Sequence, residues 1–487
     1  MKIIYSLLVC VLIHHPSFSQ QTVFIKSSQV TVLPAADASL AGGLTIHRYQ
    51  NLDKDPKVFA VEDWRDTSQS FKWNVNVPEK GAYKVAILLA AKNFSSESSL
   101  VLELSSGDQK INVSTADTEW DKKFFSGLLR LNTGMQKLQL RLTTVPGRQQ
   151  PELSVYSIEI ATEKTWKKHH TAAESIRARP SWLDKASYGL FFHWNARSQP
   201  EQGNAKSYIN AVQDFDVKKF SRMVYETGAD FVVFTTSWDL QTFPAPLKSL
   251  DELMPGNTTP RDLIADLADA LADYNIKLMV YCNFRINRIG WKKEDRLIPG
   301  KTDSFFDKIS SVYREIGERY AGKIGGVWVD DGMGLYPHNA SFEKITRLIK
   351  HHDKSIVVGY NSWIYPRFTD FQDFYGGEYG ITLHAAGAGN PHLPVGGNGY
   401  YISGPQQGLK ATFCGLLEPG DWTHTQPNQK IPPPSLSADN LITIVREAMK
   451  RKNLPVMNVS VYQDGSISPD TYALLKQLKE AVLARKQ

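Results

Sequence analysis

The stretch Tyr188-Gly189-Leu190-Phe191-Phe192-His193-Trp194 is the first of eight apolar runs of strand length in the second part of the chain. The other seven runs are Asp230–Thr236, Ile276–Phe284, Ile324–Asp331, Ser355–Tyr360, Asp370–Tyr375, Ala411–Leu417 and Leu454–Val461. Longer segments with helical spacing of apolar residues lie between most of them, which is typical of repeated βα units. Eight units in about 300 residues predict an α/β fold, a TIM-like (β/α)8 barrel, with a doubly wound open sheet as the alternative.

The preceding part of the chain, residues 20–163, shows short runs in which apolar and polar residues alternate. The clearest is Gln69–Val77, with the sequence QSFKWNVNV, and a turn at Pro78–Gly81 separates it from the run Tyr83–Leu89. Several such runs at regular spacing predict an all-β sandwich. We interpret the polar, basic segment 164–181 as a linker, so the predicted barrel domain spans residues 182–487.

Residues 1–19 have the pattern of a cleaved signal peptide. Lys2 precedes the apolar run Ile3–Ile13, and Ser17-Phe18-Ser19 matches a small-x-small cleavage site. The apolar run is too short to span a bilayer. We therefore expect a secreted or periplasmic protein without a membrane span. A lipoprotein with Cys10 at its mature N-terminus is the alternative, but Val precedes that cysteine and apolar residues follow it.

Composition excludes several classes of function. The net charge of +6 is mild for 487 residues, and no Lys/Arg block indicates a nucleic-acid partner. The sequence contains no HExxH, CxxC or dense His/Asp cluster and no nucleotide-binding glycine motif, so we predict no metal and no cofactor. After removal of the leader, Cys282 and Cys414 remain, each within an apolar run that favours a buried free thiol over a disulfide.

Polar residues at the carboxyl ends of the predicted barrel strands are the candidates for the active site. Carboxylates and tryptophans share these positions, a mixture that suits a sugar with its hydroxyls and its apolar face. Hydrolysis of a glycosidic bond usually uses two carboxyl groups. The neighbours Asp330 and Asp331 point to opposite faces of a strand, so the second carboxyl is expected from another loop. The strand-end residues are His193–Asn195, Thr235–Asp239, Asn283–Arg285, Asp330–Asp331, Asn361–Trp363, Glu378, Glu418, Asp421 and Trp422.

Several segments, in the same order, resemble motifs of glycoside hydrolase family 29, the α-L-fucosidases. Tyr188–Trp194 resembles the family's "FGIFIHWG" strand, and Val327–Asp330 resembles the "LWFDG" strand that carries the nucleophile. Asp373–Glu378 is similar to "DYxTPE", whose Glu is the acid/base in several members, and Leu454–Ser466 is similar to "LLNVGPxxDG". The similarity extends over residues 182–487.

The resemblance implies an exo-acting glycoside hydrolase that removes terminal sugars from glycans or oligosaccharides by retaining double displacement. It implies Asp330 as the nucleophile and Glu378 as the acid/base, with Glu418 as the alternative acid/base because the acid loop varies in length. His193 maps to the histidine that holds the sugar. The full set of predicted substrate-binding residues is His193, Trp194, Trp238, Asp239, Asn283 and Asp331.

The sequence departs from the family in two respects. The family's second strand leads into a histidine pair, "KHHDGF", that binds fucose hydroxyls, whereas this chain has Ser237-Trp238-Asp239-Leu240. A glycosidase acting on another sugar and a catalytically inactive carbohydrate-binding protein are therefore the alternatives. The β-sandwich also precedes the barrel instead of following it. It resembles a carbohydrate-binding module, and Trp73, Tyr83 and Trp120 are either sugar contacts or, as we favour, core residues.

Overall fold

A computed structural model describes residues 22–46, 59–92, 100–115, 119–144, 152–238, 240–284, 302–330, 332–388 and 396–483. It confirms the predicted fold class, because a β-rich N-terminal region is followed by an eight-stranded parallel barrel. The predicted signal peptide, residues 1–19, lies outside the described residues. Within the described residues, no helix is both long enough and apolar enough to cross a bilayer.

The N-terminal region folds as two packed sheets. The outer sheet contains β1, β3, β6, β8, β9 and β12, and the inner sheet contains β2, β4, β5, β7, β10, β11 and β13. Alternating side chains of both sheets fill the space between them, as the sequence of β6 predicts. The strands are β1 Val23–Phe24, β2 Thr31–Pro34, β3 Ser39–Ala41, β4 Thr45–Ile46, β5 Val61–Trp64, β6 Ser70–Val77, β7 Gly81–Lys92, β8 Leu100–Ser106, β9 Gln109–Thr115, β10 Asp121–Phe124, β11 Leu129–Leu131, β12 Gly134–Thr144 and β13 Glu152–Thr162.

The aromatic residues considered as sugar contacts of this sandwich are buried. Trp73 donates from Nε1 to the carbonyl of Pro34 at 2.8 Å and stacks on Phe71, inside the sandwich. Tyr83 is also buried there, and Trp120 packs against Tyr365 of the barrel with ring centroids 4.7 Å apart. None of the three offers an open face to a glycan, so the favoured interpretation as core residues is confirmed.

The barrel strands run in the order β19-β18-β17-β16-β15-β14-β21-β20, and each paired neighbour is parallel. The chain beside β19 closes the ring against β20, because the Tyr375 amide donates to the carbonyl of Lys410 at 3.0 Å and the Gly380 amide to that of Cys414 at 2.9 Å. The strands are β14 Gly189–Phe192, β15 Phe231–Ser237, β16 Lys277–Cys282, β17 Gly326–Val329, β18 Val357–Trp363, β19 Gly376–Gly377, β20 Thr412–Leu416 and β21 Leu454–Asn458.

The sixth predicted strand, Asp370–Tyr375, differs from the observed one. Its centre, Asp373, bonds to β18 partly through its side chain, because the carboxylate accepts from the amide of Val358 at 2.6 Å. The same carboxylate pairs with Lys350 Nζ, at the end of α9, at 2.6 Å. The carboxylate thus accepts the hydrogen bond of the Val358 amide, which a backbone carbonyl would accept in a regular β-ladder. Regular pairing therefore begins only at Gly376.

Helices cover the outside of the barrel wherever amphipathic spacing predicted them. Helix α4, for example, begins at the Asp216 cap and ends at Gly228, whose positive φ allows the left-handed turn. The segment 164–181, predicted as a linker, is not irregular, because most of it belongs to α1, which begins with the Thr162 cap. The helices are α1 Glu163–Ile176, α2 Ser181–Lys185, α3 Tyr208–Asp214, α4 Val217–Thr227, α5 Lys248–Leu253, α6 Leu263–Ala272, α7 Thr302–Arg319, α8 Gly332–Leu335, α9 Phe342–Ile349, α10 Leu383–Ala388, α11 Ala438–Arg451 and α12 Pro469–Leu483.

Side chains alternate along the barrel strands between the interior and the helical layer. Phe191, Trp328 and Cys414 belong to the interior cluster, whereas Phe192 and Cys282 pack with the helices. Both cysteines are buried free thiols, as predicted. This alternation decides which strand-end residues face the barrel mouth.

Candidate active site

Two carboxylates meet at the carboxyl ends of β17 and β19. Asp330 follows Trp328 with interior parity, and its two carboxylate oxygens accept from Asn283 Nδ2 and Asn361 Nδ2, each at 2.6 Å. The same Asn361 nitrogen donates to Oε1 of Glu378 at 2.5 Å. One amide therefore joins the predicted nucleophile to the predicted acid/base.

This shared donor limits the separation of the two carboxylates. Because Oδ1 of Asp330 and Oε1 of Glu378 both lie 2.5–2.6 Å from one nitrogen, they are at most about 5 Å apart. Carboxyl groups about 5–5.5 Å apart are the arrangement of retaining glycosidases, whereas inverting enzymes need roughly 6.5–9.5 Å for an intervening water. Both side chains are only partly buried and so are open to a ligand.

The interior below this pair is apolar. The Cys414 thiol faces the two carboxylates from β20, and burial together with the charges of Glu378 and Asp330 raises its pKa well above the usual value. The carboxylates thus lie next to an apolar barrel interior, where direct hydrogen bonds are the main stabilisation of a negative charge.

His193 lies at the mouth, directly after the end of β14. Asn458 Nδ2 donates to the carbonyl of Trp422 at 3.2 Å, so its oxygen faces His193 Nδ1 at 2.7 Å. Nδ1 must therefore carry the hydrogen, which leaves Nε2 of the neutral ring as an acceptor. Trp422 and Trp238 surround the imidazole, with ring centroids 5.0 and 6.3 Å away.

Burial keeps this imidazole neutral. Desolvation lowers the pKa of His193 to about 4, although its bond to Asn458 and the charges of Asp330 and Asp421 act in the opposite direction. At neutral pH the ring is thus a hydrogen-bonding group without charge.

The alternative acid/base, Glu418, is held away from this pair. Its oxygens accept from the amide of Ser460 at 3.0 Å and from Thr471 Oγ1 at 2.5 Å, and the side chain is buried. Burial raises the pKa of Glu418 to about 6. In the described part of the chain, its hydrogen bonds are made with Ser460 and with Thr471 near the start of α12, and none is made with Asp330 or Glu378.

The remaining predicted substrate contacts are divided. Trp238 and Asn283 lie at the mouth with the carboxylates and the histidine. Trp194 lies on the opposite face of its strand: it stacks on Phe234 and donates from Nε1 to the carbonyl of Gln463 at 2.9 Å. Strand parity places it in the helical layer, so its prediction as a substrate contact is corrected. Asp239 and Asp331 lie outside the described residues.

Asn361 and Trp422 are the residues that sequence reasoning passed over. Both follow or end predicted strands, but neither is a carboxylate or has a counterpart in the family motifs, so the sequence alone does not assign them to the site. Strand parity offered a signal for Asn361, since it shares the interior face of β18 with Val357 and Gly359. Among the described residues, no group of three or more His, Cys, Asp or Glu side chains is arranged to hold a metal ion.

The profile of the alpha-L-fucosidase family matches residues 209–481, which is more than half of the chain. The chain belongs to the alpha-L-fucosidase family. It is therefore a fucosidase-like glycoside hydrolase that acts on a glycan substrate. A comparison with curated proteins gave no match.

Solved structures of family members resemble the chain at low identity. An alpha-L-fucosidase of glycoside hydrolase family 29 from Bacteroides thetaiotaomicron is 16% identical, with a TM-score of 0.43 over 62% of this chain and 74% of that one. The alpha-L-fucosidase AlfC from Lactobacillus casei, in complex with α-L-fucose, is 19% identical, with a TM-score of 0.44 over 63% of this chain and 99% of that one.

Proposed function

We propose that this family member is an exo-acting, retaining glycosidase that removes terminal α-L-fucose or a closely related sugar from glycans. The observation that carries the proposal is the pair Asp330 and Glu378, whose oxygens bond to the same nitrogen of Asn361. That spacing suits direct attack by one carboxylate and leaves no room for a water between the two.

In the first step, a carboxylate oxygen of Asp330 attacks the anomeric carbon and forms a glycosyl ester. Glu378 gives its proton to the departing glycosidic oxygen. In the second step, Glu378 removes a proton from water as the water oxygen displaces Asp330 and releases the sugar. Asn283 and Asn361 orient the nucleophile through their amide hydrogens.

The sugar-binding side favours contacts different from those of typical family members. His193 supplies a neutral acceptor for one hydroxyl, and the indoles of Trp238 and Trp422 supply apolar faces. Because Trp238 lies where the family has a hydroxyl-binding histidine, a sugar other than fucose is the second candidate. The signal-peptide pattern of residues 1–19 supports export, so we propose the periplasm or the extracellular space as the location of the enzyme.

The test compares the wild type with Asp330→Asn on aryl α-L-fucoside and on aryl α- and β-galactosides. We expect release from one glycoside and a loss of about 10³-fold or more in the variant, because the nucleophile is absent. Thermal unfolding checks that the variant folds. A variant with a near-normal rate would remove Asp330 from its role, and a wild type inactive on all three would favour a non-catalytic carbohydrate-binding protein.

The stereochemical outcome needs a separate measurement. Proton NMR of the first product should show the anomer with the substrate's own configuration. A fluorinated substrate that slows the second step should add one sugar mass to the peptide containing Asp330. An inverted first product would contradict the retaining mechanism.

A further inference from the structure

The inner sheet of the N-terminal sandwich packs against the chain that follows β17, the strand that leads into Asp330. The hydroxyl of Tyr336 lies 2.8 Å from Ser157 Oγ and donates to Glu159 at 2.7 Å. Asn339 bonds to the backbone of Val32 in both directions, accepting from its amide at 2.6 Å and donating to its carbonyl at 2.9 Å. The sandwich thus contacts the end of the barrel that carries the active site.

A second contact reaches the chain that follows β18. Trp120 and Tyr156 of the sandwich pack on Tyr365, with ring centroids 4.7 and 4.4 Å away. Tyr156 lies at a β-bulge in β13, between Val155 and Ser157, and packs with the barrel while Val155 packs inside the sandwich. Bulges of this kind redirect a side chain.

The segment 361–365 joins this contact to the acid/base. Three hydrogen bonds join its backbone carbonyls to residues 375–379. The amide of Glu378 donates to the carbonyl of Trp363 at 3.1 Å. The hydroxyl of Tyr379 donates to the carbonyl of Ile364 at 2.5 Å, and the hydroxyl of Tyr375 donates to the carbonyl of Tyr365 at 2.7 Å. The support under Tyr365 is therefore also support for the backbone that carries Glu378.

The same segment has a backbone that needs support. Trp363 has a φ of +50°, in the left-handed region that bulky residues rarely adopt. Its amide donates to Asn361 Oδ1 at 2.9 Å, which leaves the Asn361 nitrogen directed at both carboxylates. Strained conformations of this kind persist where the surrounding packing fixes them.

We propose that Trp120 and Tyr156 are positioning residues for the reaction, and that the sandwich completes the active site instead of serving as a separable module. They act through Tyr365 and the segment 361–365, which bonds to the backbone beside Glu378, to hold Glu378 at the leaving oxygen. The inference rests on the proposed function, because it assigns to Glu378 the protonation of the leaving group.

The test uses the full chain with Trp120→Ala, the conservative Trp120→Phe and the control Met135→Ala, whose side chain is exposed on the outer sheet. Each protein is assayed for kcat/KM on two aryl α-L-fucosides, one with a dinitrophenyl and one with a methylphenyl leaving group. A displaced acid should cost about 10- to 100-fold on the methylphenyl substrate, which needs the proton. The dinitrophenyl substrate, which departs without help, should lose less than about 3-fold.

The conservative variant should restore most of the methylphenyl rate, and the control should match the wild type on both substrates. If Trp120 only stabilised the fold, Trp120→Ala would lower both rates by the same factor, because a smaller fraction of the protein would be folded. That result would overturn the proposal. Where Trp120→Ala does not fold, Tyr156→Leu removes the other ring in contact with Tyr365 and is read in the same way.

Hydrogen exchange gives a readout that does not depend on activity. In Trp120→Ala, peptides covering 361–379 should exchange about 10-fold faster or more, whereas peptides from β14 to β16 should match the wild type. Unchanged protection of 361–379 overturns the proposal. A wild type that hydrolyses neither these fucosides nor the corresponding aryl galactosides contradicts the proposed function instead, and the exchange result still decides the positioning role.

Discussion

The two halves of the barrel mouth relate differently to the alpha-L-fucosidase family. The carboxylate half, at the ends of β16 to β19, contains Asn283, Asp330, Asn361 and Glu378 in one hydrogen-bonded group. The aromatic half contains His193 between Trp238 and Trp422. In the motif resemblance given by the sequence, Trp238 occupies the place of the family's histidine pair. In the proposed mechanism, the carboxylates that break the bond and the aromatic residues that contact the sugar are therefore on different strands, so one group can change while the other stays.

The largest effect should come from Glu378→Gln in the carboxylate half. Without a proton donor, we expect kcat/KM on a substrate with a poor leaving group to fall by about 10²- to 10⁴-fold. Added azide should restore turnover of an activated aryl glycoside, because the small anion replaces the base-assisted water and gives a glycosyl azide.

Glu418→Gln is the matched control for that change. Its carboxylate bonds to Ser460 and Thr471 at a distance from the pair, so its rate should stay within about 3-fold of the wild type. The reverse result, with a large loss and azide rescue in Glu418→Gln, would transfer the acid/base role to the alternative that the sequence left open.

A smaller loss is expected for Asn361→Ala, which removes the donor shared by both carboxylates. A hydrogen bond to a charged group is worth about 1.5–3 kcal/mol, so kcat/KM should fall by roughly 10- to 100-fold. Asn283→Ala removes a contact to Asp330 alone. Steady-state kinetics should therefore show a larger loss of kcat/KM for Asn361→Ala than for Asn283→Ala. Equal losses would show that the hydrogen bond from Asn361 to Glu378 adds nothing beyond the orientation of Asp330.

The carboxylate half was largely predictable from the sequence, because a strand and its end residue are local features. Eight apolar runs fixed the barrel, and the order of motifs indicated Asp330 and Glu378. Asn361 was missed because its role depends on two partners, 31 and 17 residues away in sequence, that only the closed barrel brings together. Trp194 was misassigned because adjacency to His193 in sequence means opposite faces on a strand.

The aromatic half and the sandwich were less predictable for a related reason. The burial of Trp120 depends on Tyr365, which belongs to the other domain, and no pattern within 20–163 distinguishes such a residue from an exposed platform. The sixth strand was displaced because the Asp373 side chain bonds the amide of Val358, a contact across strands that alternation does not reveal.

The aromatic half can be tested by restoring one residue type of the family. Trp238→His adds a hydrogen-bonding group beside His193 and removes an apolar face. We expect the ratio of kcat/KM for fucoside over galactoside to rise by about 10-fold, in the range of one polar contact in a binding site. Trp166→Phe, in α1 of the helical region before the barrel, is the control and should leave the ratio unchanged. A ratio that does not move would show that Trp238 is not a selecting residue.

The smallest effect concerns stability, and it arises because the aromatic half encloses an uncharged imidazole. The pKa of His193 is about 4 in the folded chain and 6.5 as the ordinary value, so between these values the unfolded chain binds the proton more readily. The histidine thus contributes stability above pH 6.5 that is lost as the pH falls toward 4, and the loss by about pH 4.5 is roughly 2–3 kcal/mol.

Urea unfolding at about pH 7 and about pH 4.5 tests this contribution. The free energy of unfolding should decrease less between the two pH values for His193→Gln than for the wild type, because a glutamine side chain does not titrate. Other groups, such as the half-buried Asp370, also destabilise the fold in acid, but they do so equally in both proteins. If the two decreases are the same, the pKa of His193 is near 6.5 in the folded chain as well, and the aromatic half would then present the sugar with an imidazole that becomes a cation below about that pH instead of the permanently neutral acceptor that we infer.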